Sequence, residues 1–116
     1  MRIQLWHSRD SNFVEDIYNP LKENFPQVEW IFPHEENRKF IKSEETLQEV
    51  DIFLAEVSYS ATGLGIELGL AYLYKKRIIC ISKKWAKISR SIKYICSEFI
   101  EYSDEKDMVE KLKNIL

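Results

Sequence analysis

The chain has 116 residues, of which 45% are hydrophobic and 31% are charged, and its formal net charge is −2. These values are typical of one folded domain spanning residues 1–116, and they exclude a disordered chain. The weak negative charge argues against binding to a nucleic acid polymer, and no apolar run is long enough to span a membrane. Two cysteines cannot form a disulfide scaffold, and the N-terminal residues lack a signal-peptide pattern, so we expect a cytoplasmic protein.

The hydrophobic pattern predicts five strands, and each strand is followed by a helix. The predicted strands are residues 3–6, 28–32, 51–57, 77–81 and 98–102. The predicted helices are residues 12–24, 43–50, 63–74, 84–94 and 104–116, with a polar loop over residues 33–39. Ser11 or Asp10 is expected to cap the first helix, and Ser103 is expected to cap the last.

This alternation predicts an α/β protein with a five-stranded parallel sheet between two helical layers, a three-layer sandwich of flavodoxin-like or Rossmann-like order. In such folds ligands bind beyond the carboxyl ends of the strands. We therefore expect the loops His7–Ser11 and Ser58–Gly65 to carry the function.

All three glycines of the chain, Gly63, Gly65 and Gly69, fall within seven residues. Gly63 and Gly65 open the third predicted helix, where glycine lets the backbone approach a ligand closely and direct its N–H groups at it. The pattern predicts that the chain places its conformational freedom at this point.

Glu67 is the only charged residue between Leu64 and Tyr74. A helix that is apolar on every face is expected to be buried, so Glu67 is predicted to be a buried carboxylate. We place it in the first helical turn, where the helix dipole stabilises an anion. Two interpretations stay open at this point: Glu67 satisfies free N–H groups at the helix start, or it does chemistry.

The charges are unevenly distributed along the chain. No Asp or Glu occurs between Leu68 and Ser97, whereas that stretch holds eight basic residues: Lys75, Lys76, Arg77, Lys83, Lys84, Lys87, Arg90 and Lys93. The stretch either attracts an anionic ligand such as a nucleotide phosphate or forms a solvated helix face. His7 and His34 lack the spacing of a metal site, and no cofactor or metal is expected.

Three segments carry a resemblance to a known family. These are Val50–Ser58 with its Ala-Glu-Val sequence, Gly63–Ala71 with the pattern G-x-G-x-E-L-G-x-A, and Lys76–Ile81. They resemble the nucleoside 2-deoxyribosyltransferase family, and within it the 2′-deoxynucleoside 5′-phosphate N-hydrolases. The resemblance implies cleavage or transfer at the N-glycosidic bond of a nucleoside or nucleoside 5′-monophosphate.

The resemblance also implies roles for individual residues. Glu67 would be the nucleophile, and the residues that would hold sugar and phosphate are His7, Ser8, Arg9, Ser43, Ser60, Thr62, Gly63, Gly65 and Ser97. Ser43 stands where the family has an aspartate, and Ala61 stands where the phosphate-specific members have a serine. The family's sites are shared between subunits, so a homodimer or larger oligomer is expected, with Ser97 reaching the neighbour's phosphate pocket.

Two other interpretations remain. The segment from His7 to Val14 resembles the opening of a TIR domain, and some TIR domains cleave the glycosidic bond of NAD with a glutamate while others are interaction modules. The chain would then be an NAD-cleaving enzyme or an interaction domain. The third interpretation is a sensor that binds a nucleotide without any chemistry.

Overall fold

The computed structural model describes residues 1–33 and 43–116, with Ser43 and Glu44 described by their backbone alone. The five strands are β1 (Arg2–His7), β2 (Glu29–Ile31), β3 (Ile52–Glu56), β4 (Arg77–Lys83) and β5 (Glu98–Tyr102). The helices are α1 (Asn19–Asn24), α2 (Ser43–Glu49), α3 (Thr62–Leu73), α4 (Arg90–Ile95) and α5 (Glu105–Lys113). Within the described residues no helix is long and apolar enough to cross a bilayer.

The five strands form one parallel sheet in the order β2-β1-β3-β4-β5. This is the flavodoxin-like order, so the predicted fold class is confirmed and the Rossmann-like alternative order is not observed. From β1 the chain passes to β2 at one edge of the sheet. It then crosses to β3, on the other side of β1, and continues through β4 to β5 at the opposite edge. The switch in direction therefore falls between β1 and β3.

The sheet has a helical layer on each face. Alternate residues of each strand point to opposite faces, so Ile52 and Leu54 pack with α1 and α5, whereas Phe53 and Ala55 pack with α2 and α3. All five residues of β3 are buried, as expected for a central strand covered on both sides.

The first predicted helix contains an irregular turn that the sequence analysis did not predict. Val14–Tyr18 is a π-helical turn that continues into α1, and the amide of Asn19 donates to the carbonyl of Val14. Pro20 follows at the start of α1. Because proline has no N–H and its ring clashes with the carbonyl four residues earlier, a widened turn at this point avoids both conflicts.

The predicted helix caps are displaced. Neither Asp10 nor Ser11 caps the first helix, because the helical turn begins after Phe13, which provides no side-chain cap. The Asp10 amide donates to the Ser8 hydroxyl (3.1 Å) and the Ser11 hydroxyl donates to the Ser8 carbonyl (3.3 Å). In α5 the cap is Asp104, not Ser103, and the Asp104 carboxylate accepts from the amide of Asp107 (2.8 Å).

The predicted helix over residues 84–94 is wrong at its start, because α4 begins only at Arg90. β4 runs on to Lys83, where it still pairs with Tyr102. The Ser89 hydroxyl then accepts from the amide of Ser91 and caps the short helix. As a result Trp85, which the predicted helix would have included, is 63% exposed. The predicted polar loop after β2 lies, except for Pro33, outside the described residues.

Candidate functional site

The loops after β1 and β3 leave the sheet side by side. The last residues of these strands, His7 and Glu56, are partners in the parallel register. β4 and β5 end at the same edge, with Lys83 opposite Tyr102. The carboxyl edge between β1 and β3 is therefore the place where this fold binds ligands, and both loops singled out by the sequence analysis lie there.

The first loop is held by hydrogen bonds around Ser8. The Ser8 side chain is buried, and its hydroxyl and carbonyl accept from Asp10 and Ser11. Arg9, next to it, is exposed at the carboxyl edge. The loop thus presents a guanidinium that can bind a phosphate with two parallel hydrogen bonds.

His7 lies beneath this loop and is 3% exposed. Its Nδ1 is 2.8 Å from the Ser8 carbonyl oxygen and donates to it, since a carbonyl can only accept. Its Nε2 lies 2.6 Å from the Tyr18 hydroxyl, and its ring stacks on Phe13 at 4.4 Å. These contacts support the loop from inside the protein.

Glu67 lies on the buried face of α3 and is 7% exposed. The residues buried with it on this helix are Leu64, Leu68 and Ala71. The predicted buried carboxylate is thus present. Its predicted place in the first turn is wrong: α3 begins at Thr62, so Glu67 is the sixth residue and lies in the second turn. The helix dipole acts mainly within the first turn, so it does not explain this carboxylate.

The expectation that α3 is buried on every face is also wrong. Ile66, Tyr72 and Leu73 are 59%, 51% and 72% exposed, because α3 covers the sheet with one face and nothing described covers the opposite face. None of the glycines has a positive φ, so the expectation of special backbone freedom there is wrong as well. Among the residues that the structure describes, a positive φ occurs at Lys75 (φ 58°), just beyond α3.

A small cavity of about 130 Å³ lies beside the start of α3. Ser60 and Gly65 line it, together with Lys87 and Ser89 from the segment before α4. Ala61 is the N-cap of α3 and provides no side-chain cap, so the first amides of the helix receive no hydrogen bond from it. Lys87, Ser60 and Ser89 supply the polar groups of the lining, and most of the remaining lining is apolar: Val57, Leu64, Leu68, Ile88 and Ile92.

The remaining predicted site residues lie in different places. Thr62 and Gly63 are exposed in the first turn of α3, near the cavity, whereas Glu67 lies on the same helix outside the cavity lining. Ser43 is the first residue of α2. Ser97 lies at the opposite, amino end of the sheet, where its hydroxyl accepts from the amide of Ile78 (3.1 Å). Within one chain, Ser97 does not meet the other site residues.

Three groups near the site were not predicted from the sequence: Lys87, Ser89 and the buried side chain of Glu56. Lys87 was one cation in a basic stretch, and Ser89 gave no signal before the start of α4 was known. Glu56 did give a signal, because it is a single carboxylate near the end of an otherwise apolar strand. Among the described residues, no group of three His, Cys, Asp or Glu side chains could hold a metal ion.

The strand order and the loops at the carboxyl edge define an α/β protein of flavodoxin-like order. No family model matches the chain. A curated protein of Thermofilum pendens is 33% identical to the chain over 75 residues, which is 60% of this chain and 52% of that protein. That protein is named, by inference, 2′-deoxynucleoside 5′-phosphate N-hydrolase 1. The chain thus spans about half the length of the curated relative it matches, and its resemblance to these hydrolases is confirmed.

Two solved structures share the fold. One is the CMP N-glycosidase BcmB of Clostridium botulinum, with a TM-score of 0.69, 23% identity, and coverage of 98% of this chain and 99% of that chain. The other is a conserved protein of Enterococcus faecalis, with a TM-score of 0.73, 11% identity, and coverage of 100% and 99%. Almost the entire chain therefore superposes on both proteins.

Proposed function

We propose that the chain cleaves the N-glycosidic bond of a nucleoside 5′-monophosphate, by hydrolysis or by transfer to another base, with Glu67 as the nucleophile. The observation that carries this proposal is the carboxylate of Glu67, which is buried on α3, the helix that starts at the carboxyl edge of the sheet. The names of the curated relative and of the Clostridium protein, which refer to a deoxynucleotide hydrolase and a CMP glycosidase, support the same reaction class.

The proposed reaction has two steps. The Glu67 carboxylate attacks the anomeric carbon through an oxocarbenium-like transition state, the bond from this carbon to the base nitrogen breaks, and the electron pair leaves with the base, which takes a proton from water. This forms an ester between the sugar and Glu67. Water, or an N–H nitrogen of a second base, then attacks the same carbon, and the bond from this carbon to Glu67 breaks with its electron pair returning to the carboxylate. The proton that the attacking group loses neutralises the hydroxide left by the first step.

The groups at the edge would bind the rest of the nucleotide. Arg9 and Lys87 supply positive charge for the phosphate, and Ser60 and Thr62 supply hydroxyl groups beside the first amides of α3. At Ala61 the chain lacks the serine hydroxyl that the resemblance implies for the phosphate-specific members of the family. The hydroxyl of Ser60, Thr62 or Ser89 would take its place. A nucleotide substrate also agrees with the cytoplasmic location that we propose for the chain.

The test is a panel of substrates assayed for free base by chromatography. It contains nucleosides, ribonucleoside and deoxynucleoside 5′-monophosphates including CMP, and NAD, each with and without an acceptor base. We expect base release from a monophosphate, and Glu67→Gln should lower kcat by at least about 10³-fold because the nucleophile is lost. The control Glu110→Gln changes an exposed carboxylate on α5 and should retain the activity.

Three outcomes contradict the proposal. Nicotinamide release from NAD alone would favour the TIR-like interpretation. A nucleotide that raises the melting temperature without being cleaved would favour the sensor, because ligand binding stabilises the folded state. Equal rates for the wild type and Glu67→Gln would remove Glu67 from the mechanism.

We also propose that the chain functions as a homodimer or larger oligomer through the exposed face of α3. Ile66, Tyr72 and Leu73 on this face are more than half exposed, and monomers rarely leave such a contiguous apolar patch uncovered. A groove of about 740 Å³ adjoins it, lined by Gly69, Tyr72, Leu73, Lys75, Lys76, Ile95 and Ser97. Because Ser97 is remote from Glu67 in its own chain, it could take part in binding only from a neighbouring subunit.

A further inference from the structure

A buried carboxylate at the end of β3 takes no part in the proposed reaction. Glu56 is the last residue of β3 and is 3% exposed. Its Oε1 accepts from the Ser58 amide at 2.6 Å, and its Oε2 accepts from the Ser58 hydroxyl at 3.1 Å and from the Tyr102 hydroxyl. Three donors thus compensate the cost of burying this group.

The same contacts connect three strands. The Ser58 hydroxyl donates to Glu56 and accepts from the amide of Lys83 at 2.8 Å. Ser58 follows β3, Lys83 ends β4 and Tyr102 ends β5. Glu56 and Ser58 therefore fasten the beginning of the β3–α3 loop to the carboxyl ends of the two neighbouring strands.

This network needs acceptor atoms at both oxygens of residue 56. Burial, and then the negative charge of Glu56, raise the pKa of Tyr102, so the Tyr102 hydroxyl keeps its proton and remains a donor. A glutamine at position 56 would have nearly the same shape, and its carbonyl oxygen could still accept from the Ser58 amide, but its NH₂ group cannot accept, so the hydroxyl protons of Ser58 and Tyr102 would lose their acceptor. A buried donor left without an acceptor is costly.

The position of the network suggests a role beyond stability. A buried ionic group can often be replaced by apolar residues without loss of stability. This one holds Ser58, the first of the four residues Ser58–Ala61 that lead directly into the N-terminus of α3. Ser60 lines the small cavity beside the start of α3, the first turn of α3 adjoins it, and Glu67 lies one turn further along the helix.

We propose that Glu56 is a positioning residue that, through Ser58, fixes the β3–α3 loop and with it the start of α3 for a nucleotide. The inference rests on the proposed function. Glu56 does not touch the substrate. It acts through Ser58, and Tyr102 supplies the third donor.

The activity test compares Glu56→Gln with the wild type at a temperature at which both are folded by circular dichroism. We expect kcat/KM to fall about 10–100-fold, since small displacements of reacting groups have effects of that size. Tyr102→Phe removes one of the three donors and should give a smaller fall, which keeps the test informative if Glu56→Gln does not fold. The control is Ser82→Ala, because the buried Ser82 hydroxyl has no hydrogen-bond partner in the described part of the chain.

Amide hydrogen exchange provides a readout that does not depend on activity. In Glu56→Gln, or in Tyr102→Phe if that variant alone folds, exchange should accelerate at Ser58, at Lys83 and along the loop to Ala61, while Ile79 in the core of β4 stays protected. Unchanged exchange at Ser58 and Lys83, or an equal rise throughout the sheet, would overturn the proposal. So would an unchanged kcat/KM in an active enzyme. If the wild type cleaves no nucleotide, the proposed function fails, and the exchange pattern alone decides whether Glu56 positions the loop.

Discussion

At the scale of single residues, Lys75 has a backbone conformation that lysine rarely adopts. Lys75 follows α3 with φ 58°, a left-handed conformation that glycine adopts without strain. The amide of Lys75 donates to the Tyr72 carbonyl (3.1 Å) and the amide of Lys76 donates to the Ala71 carbonyl (3.0 Å). These two bonds form the Schellman motif that ends α3, with lysine in the position where glycine is usual.

Lys75→Gly should raise the free energy of unfolding by about 1 kcal/mol, because glycine removes the left-handed strain at this position. Lys75→Ala is the matched control, since it removes the same side chain and keeps the Cβ. Urea denaturation of the three proteins measures the effect. If glycine and alanine give equal midpoints, the backbone strain at position 75 does not limit stability.

At the scale of elements, α3 carries glycines that the described fold does not require. Gly65 has an ordinary negative φ, and among the described residues no atom outside its own helix backbone and its chain neighbours lies within 4 Å of the place where a Cβ would stand. A glycine inside a helix costs about 1 kcal/mol relative to alanine. Since Gly65 lines the cavity at the start of α3, we interpret it as space left for the approaching nucleotide.

Gly65→Ala should therefore have opposite effects on stability and on activity. The free energy of unfolding should rise by about 1 kcal/mol, owing to the better helix propensity. The kcat/KM for the nucleotide should fall, because the added methyl group occupies the ligand's side of α3. Thermal unfolding and the base-release assay measure the two effects, and an equally active, stabilised variant would show that no ligand approaches Gly65.

At the scale of the whole molecule, the two helical layers differ in how completely they are closed. α1 and α5 pack against one face of the sheet together. On the other face α3 presents Ile66, Tyr72 and Leu73 to solvent, and the nearby Tyr94 of α4 is 82% exposed. A second copy of the chain would bury this surface, and a two-fold contact would bring the same patch from both copies together.

Leu73→Lys should convert the proposed oligomer into a monomer, because it places a charge within the exposed surface that the contact would bury. Sedimentation at micromolar concentration measures the change. Val14→Lys is the control, since Val14 is also apolar and 46% exposed but lies on the turn before α1, on the other layer. A wild-type chain that sediments as a monomer would contradict the proposed assembly.

The sequence by itself determined the layers of the fold. Continuous apolar runs such as Ile52–Ala55 and Ile78–Ile81 can be buried on both faces only in a parallel sheet covered by helices, and the alternation of strands and helices then requires crossovers. It also marked Glu67 as the single charge of α3, although the premise that the helix is covered on every face is wrong. These features depend on local periodicity, which a sequence displays directly.

Only the tertiary structure decided where the elements begin and which side chains meet. The first helical turn begins after Phe13 without a side-chain cap, β4 extends through Lys83 because β5 pairs with it, and Glu67 falls in the second turn because Ala61 is extended. The network of Glu56, Ser58 and Tyr102 joins residues 46 positions apart in the chain. Such contacts depend on the register of neighbouring strands, and the period of a single segment contains no information about that register.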